Sequence, residues 1–179
     1  MIKMFYPKEY VSSIFSIGYE RLMQTGIKGI IFDIDNTLVP FDEEHPTPEI
    51  MQLIALLKER GFKIVLLSNN TQLRVEKFNE HLQLKAIHKA KKPRRGNINT
   101  AVSSMNLLHN EVAIVGDQVF TDVLGGNRAD VYTILVEPVS EKDEWITKVK
   151  RGAERQIIKG YIKYRRRLEK KLEKKEAKS

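Results

Sequence analysis

The 179-residue chain contains no cysteine. That excludes disulfides, a thiol nucleophile, thiolate-bound zinc and cysteine-ligated iron–sulfur clusters, and it fits a reducing compartment. The four histidines, His45, His81, His88 and His109, are scattered with no metal-ligand spacing among them. The one tryptophan, Trp145, reads as a core or docking residue. No apolar run approaches the ~18 residues of a membrane span, and the start lacks the charged, apolar and small-residue succession of a signal segment. The expectation is a soluble chain built on one core, because this length suits one sizeable domain and is short for two.

Charge is plentiful but unevenly placed. Residues 148–179 hold fourteen Lys or Arg and four Glu, a net of +10, whereas residues 1–147 hold seventeen basic and nineteen acidic residues, a net of −2. The basic excess is therefore assigned to a cationic tail on a weakly acidic body. The chain divides into three regions: an N-terminal amphipathic helical segment over 1–27, a core over 28–147 and a basic helical tail over 148–179.

Val11, Ile14, Phe15 and Leu22 lie at helix-like intervals, so the spacing predicts a helix from Pro7 to about Met23, interrupted near Gly18. Short apolar runs at Gly29–Phe32, Lys63–Leu67, Ala86–His88, Val112–Val115 and Val131–Val136 predict strands. Helical patterns separate them, around Ile50–Leu57, Thr71–Leu82, Gly96–Leu108 and up to Ala129. This alternation predicts an α/β fold, a Rossmann-like three-layer sandwich around a parallel sheet. Three of the runs end in polar clusters: Asp33/Asp35, Ser68/Asn69 and Gly116/Asp117. In such sheets ligands bind beyond the carboxyl ends of the strands, so these clusters are expected to share one crevice.

Asp33 and Asp35, two residues apart at a strand end, can point the same way. Two adjacent carboxylates repel unless a cation joins them, and Mg²⁺ suits a few carboxylate oxygens plus substrate phosphate, with Asp117 as a further donor. Taken alone, a D-x-D pair reads more often as acids that cap a turn or a helix. The ordered set carries more. Asp33-Ile34-Asp35-Asn36-Thr37-Leu38, Ser68, Lys92 before Pro93, and Gly116-Asp117 with Asp122 resemble the four signature motifs of the haloacid-dehalogenase-like phosphohydrolases. The stretches Ala90–Pro93 and Gly116–Arg128 resemble the YqeG-like group of subfamily IIIA, which is similar to the phosphatidylglycerophosphate phosphatases of mitochondria and plastids.

That resemblance implies Asp33 as nucleophile and Asp35 as general acid/base. It implies Ser68, Asn69 and Lys92 on the phosphoryl group. Mg²⁺ would be held by Asp33, the main-chain carbonyl of Asp35, Asp117 and the nearby Asp122. Lys91 competes with Lys92 for the phosphate, and the proline favours Lys92 by biasing it towards extended backbone. Asn69 and Asn127 each also read as ordinary turn or helix-end residues, and Thr37 as a turn-shaping one.

About thirty residues separate Leu38 from Ser68 and about two dozen separate Ser68 from Lys92, which leaves no room for a cap domain. An open crevice suits a phosphate monoester on a large or lipid carrier. Ile157, Tyr161, Tyr164, Leu168 and Leu172 place an apolar stripe on the cationic tail. Three readings stand for the tail: peripheral contact with an anionic membrane, an RNA or ribonucleoprotein partner, or a solvated helix. The chain is expected in the cytoplasm, and the membrane reading of the tail would place it peripherally at the inner face of the membrane. A rival reading is a binding or assembly factor for RNA or a ribonucleoprotein on the same scaffold, with little or no hydrolysis.

Overall fold

The structure is a computed structural model that describes residues 2–140 and 145–176, with side chains at 2–140 and 152–174. It comprises two compact units, 1–142 and 143–179. The first contains six strands: β1 (Glu9–Val11), β2 (Gly29–Phe32), β3 (Lys63–Leu67), β4 (Lys85–Ile87), β5 (Val112–Gly116) and β6 (Tyr132–Val136). Between them run α1 (Tyr19–Gln24), α2 (Pro48–Glu59), α3 (Gln72–Asn79), α4 (Gly96–Ser104) and α5 (Leu124–Arg128).

All strand pairs are parallel, in the order β1-β6-β5-β2-β3-β4. Alternation along the strands sends Ile30, Phe32, Leu66 and Val115 to one face, against Leu22, Ile50, Ile54, Leu57 and Phe78. Ile31, Val65, Leu67 and Ile114 go to the other, against Ile98, Ala101 and Val102. A sheet buried on both faces needs strands that are apolar throughout, as β2 and β5 are. The α/β three-layer sandwich expected from the sequence is what forms. The segments between β2 and β3 and between β3 and β4 hold loops and one helix each, with no inserted cap.

The N-terminal region departs from expectation. Residues 7–23 are not one amphipathic helix. Glu9–Val11 adds a strand to the sheet, pairing Glu9 with Ile134 and Val11 with Val136, and only Tyr19–Gln24 is α-helical. Edge pairing satisfies backbone groups that β6 would otherwise expose. Ser12, Ser13 and Gly18 are weak helix formers, and Ser13 is extended. Leu22 and Ile14 are buried as the pattern required, but Phe15 is exposed. Residues 1–27 thus belong to the first unit.

The second unit is one helix, α6 (Trp145–Glu176). It runs unbroken through Gly152 and Gly160 and leaves Leu168 and Leu172 exposed. The side chain of Trp145 lies outside the described residues. Among the described residues no helix is long and apolar enough to cross a membrane.

Where α5 approaches the sheet, Gly126 has no space for a side chain. A Cβ there would lie 2.5 Å from the methyl groups of both Ile114 and Thr133. Both neighbours are β-branched strand residues that cannot swing aside. Gly126→Ala is therefore expected to cost about 1–3 kcal/mol by overpacking, read as a lower midpoint in thermal denaturation.

Candidate active site

The chain leaves β2 to build β3 and β4 on one side, then returns beside β2 to build β5 and β6 on the other. The reversal therefore lies between β2 and β5, where a crevice opens at the carboxyl ends of the strands. Phe32 pairs with Val115, and the Asp33 N–H donates to Val115 O at 2.9 Å, so Asp33 and Asp117 emerge side by side.

Asp33, Asp117 and Asp122 are buried, and their nearest carboxylate oxygens lie within 4.8 Å of one another. Lys92 enters the same space: its Nζ is 2.8 Å from Asp33 Oδ1 and 2.6 Å from Asp122 Oδ1. Asp122 sits in a wide π-type turn, Val119–Val123. Its Oδ2 accepts from Gln118 N and from Thr121 Oγ1, both at 3.2 Å. Gly116 makes room for this, since a Cβ there would fall 2.2 Å from Asp122 Cγ. Thr37 Oγ1 donates to Asp117 Oδ1 at 3.3 Å, so Thr37 orients a carboxylate as well as shaping its turn.

Burial pushes the Asp33 carboxyl up to about 8; Lys92 opposes this, while Asp122 and Asp117 add to it. Burial pulls the Lys92 ammonium down, but the carboxylates of Asp122 and Asp33 outweigh it, and the net direction is upward. Lys92 is thus held protonated. Once Asp33 also gives up its proton, three carboxylates against one ammonium leave a formal deficit of two positive charges in a buried site. That is the complement of a divalent cation with hard oxygen ligands.

Asp35 stands apart from this cluster, so the two acids of the D-x-D pair do not share one cation among the side chains. Arg74 holds it, with Nη2 2.9 Å and Nε 3.1 Å from Oδ1, while Asn70 Nδ2 donates to Oδ2 at 3.1 Å. Arg74 also donates to Glu44 O at 3.1 Å and lies over the Phe78 ring. Sequence reading missed Arg74 and Asn70. The available signal was a cation in the first turn of the helix after Ser68, a turn that Thr71 caps by accepting from Arg74 N.

The loops after β3 and β4 are stitched together. Ala90 N donates to Ser68 O and Lys89 N to Asn70 O, each at 2.9 Å. Asn69 donates to Lys92 O at 3.2 Å and accepts from Lys92 N at 2.7 Å. Its side-chain amide is therefore engaged in bracing Lys92. Ser68 is buried, and its Oγ accepts from Asn70 N at 3.1 Å. Lys91, with φ 56°, is exposed while Lys92 points inward to the carboxylates. Asn127 is structural: it donates to Met4 O and Tyr6 O and accepts from Thr133 Oγ1. His45 and His81 are not scattered in space; their rings lie 5.6 Å apart beside Glu80.

The family model for haloacid dehalogenase-like hydrolases matches residues 39–130, which contain Ser68, Lys92, Asp117 and Asp122. The chain belongs to that family. The hydrolase is 43% identical over 167 residues to the "Probable phosphatase YqeG" of Bacillus subtilis (strain 168), covering 90% of this chain and 97% of that one. It is 30% identical over 169 residues to "Phosphatidylglycerophosphate phosphatase 1, chloroplastic/mitochondrial" of Arabidopsis thaliana, covering 88% of this chain and 48% of that protein, so it spans about half of the plant relative. Among solved structures, the cobalt-bound deoxy-D-mannose-octulosonate 8-phosphate phosphatase of Haemophilus influenzae shares the fold, with TM-score 0.53, 13% identity, and 76% and 90% of the two chains covered. The hydrolase is an enzyme of the phosphatase type.

The upward displacement of Asp33 has a stability consequence. Between its ordinary value of 3.8 and about 8 the folded protein retains a proton that the unfolded chain releases. That advantage is complete below the lower value and lost as pH rises through the upper one. Asp33→Asn removes the titration. With a chelator present, the variant is expected to melt about 5 °C or more above the parent near pH 8.5, with a smaller gap near pH 5. Differential scanning calorimetry at the two pH values checks this, and a variant less stable at both would contradict it.

Proposed function

We propose that this hydrolase is a Mg²⁺-dependent phosphomonoesterase that works through an aspartyl phosphate on Asp33, and that its substrate is the lipid phosphatidylglycerophosphate. The observation that carries the chemistry is the convergence of Asp33, Asp117, Asp122 and Lys92 in one buried cluster, with Asp35 beside it on a separate counter-charge. The name of the Arabidopsis thaliana relative and the uncapped crevice support the lipid.

Asp33 attacks phosphorus and the bond to the substrate oxygen breaks, with Asp35 giving its proton to the leaving alkoxide. Asp35 then takes a proton from water, which attacks phosphorus and breaks the bond to Asp33, releasing inorganic phosphate. Lys92 offsets charge on the phosphoryl oxygens. Because Ser68 Oγ already accepts from Asn70 N, its own proton is available to a phosphoryl oxygen. The carboxylates of Asp33, Asp117 and Asp122, with the Asp35 carbonyl, would hold Mg²⁺, which supplies charge compensation for the transferring group when bound. Arg74 positions Asp35 and must yield part of its hold as Asp35 turns to the leaving group. The basic helix α6 is a second, electrostatic attachment to the cytoplasmic leaflet.

The test is phosphate release with Mg²⁺ from phosphatidylglycerophosphate in mixed micelles, set against nucleotide, sugar-phosphate and phosphopeptide substrates. The lipid is expected to be cleaved fastest, chelation to abolish release, and Asp33→Asn to serve as the blank. Asp35→Asn is expected to lose ~10²–10⁴-fold in kcat. Activity surviving in Asp33→Asn would remove the nucleophile, and faster turnover of a free nucleotide would remove the lipid. Arg74→Ala is expected to lower kcat more than it raises KM and to shift the pH profile, whereas Arg74→Lys restores part of the rate.

A further inference from the structure

We propose that the rim of the crevice is itself a docking surface for an anionic lipid bilayer, formed by the loop that carries Lys92 together with Leu73. This rests on the lipid-phosphatase reading above and adds where the membrane meets the enzyme.

Five of the seven residues Lys89–Arg95 are basic. Lys92 turns inward to the carboxylates, but Lys89, Lys91, Arg94 and Arg95 are exposed, and among the described residues none of the four has a carboxylate partner. Four unpaired cations in one short loop stand out against a body whose net charge to residue 147 is slightly negative. The loop is held in place. Lys89 and Ala90 bond to the main chain after β3, Lys92 is bracketed by Asn69, and Arg94 N closes a turn on Lys91 O at 2.9 Å. The backbone that carries its charges is therefore held in place, after the edge strand β4.

Leu73 lies in the first turn of α3, directly after the loop to which this cationic segment is stitched, and is 65% exposed. Its chain neighbour Arg74 reaches inward to Asp35, so the exposed leucine is one residue from a group that holds the second acid. Cations beside a projecting aliphatic residue match the headgroup layer and acyl boundary of a bilayer. Single-stranded RNA is a poorer match, because it is gripped by stacking on aromatic side chains and neither 68–74 nor 88–95 contains Phe, Tyr or Trp. The loop after β2 carries the exposed acids Asp42 and Glu43, with Glu44 paired to Lys77. An anionic surface repels that flank, so contact is made on the β3–β4 side.

The absence of cysteine permits a site-specific test in the full chain. Leu73→Cys, labelled with an environment-sensitive NBD group, is mixed with phosphatidylcholine vesicles with and without phosphatidylglycerol. Emission is expected to rise and shift to the blue only with the anionic vesicles. Adding Lys89→Gln, Arg94→Gln and Arg95→Gln to the labelled chain is expected to weaken this response roughly tenfold or more at low salt. A circular-dichroism melt shows whether the combined variant keeps its fold. An equal response to both vesicle types, a response indifferent to the three substitutions, or one produced by single-stranded RNA in place of vesicles would overturn the proposal. The vesicles contain no phosphomonoester, so docking is read independently of catalysis. An enzyme that docks yet fails to cleave the lipid phosphate in the assay above would retain this surface and lose that substrate.

Discussion

A buried lysine is tolerable only where carboxylates meet it, and here the obligation runs in both directions. Lys92 is almost wholly enclosed and reaches Asp33 and Asp122 at hydrogen-bonding distance. The three acids around it carry more negative charge than it can neutralise. Removing the lysine from such an arrangement strands the acids in a low-dielectric space. Much of the surrounding structure serves this contact: Asn69 fixes the Lys92 main chain from both sides, Gly116 leaves space for Asp122, and Thr37 steadies Asp117. The residual charge is a standing preference for a divalent cation and for the anionic group it would help to bind.

The second acid of the pair is kept out of that cluster by its own cation. Arg74 and Asn70 hold both oxygens of Asp35, and Arg74 is in turn tied to the main chain at Glu44. Neighbouring carboxylates thereby occupy different electrostatic surroundings, the usual means of assigning two roles to two like groups. The segment after β2, the first turn of α3 and the loop after β4 are joined by these contacts.

Charge on the molecule is divided more finely than a net value conveys. The tail accounts for the numerical excess, yet the loop beside the crevice has a higher local density of cations than its surroundings. Averages over 147 residues conceal seven that matter. The N-terminal strand shows the same limit in another form, since the apolar spacing that suggested a helix reports only which residues are covered, not the backbone that covers them.

The order of short apolar runs and helical patterns sufficed for a parallel α/β sandwich, because side-chain periodicity is a local property. The meeting of Asp33, Lys92, Asp117 and Asp122 was implied by the motif resemblance, and parallel strands put the strand ends that precede them on one side. Other contacts between segments were not legible. Which lysine turns inward, what Asn69 grips, the Arg74–Asp35 pair, the edge strand β1 and the approach of His45 to His81 all depend on separations of 23 to 125 residues in hydrogen bonds or 36 in ring contact. Sequence fixes the donors and acceptors available; only the folded chain decides which of them meet, because desolvation makes each buried polar group take whichever partner the packed backbone brings within reach.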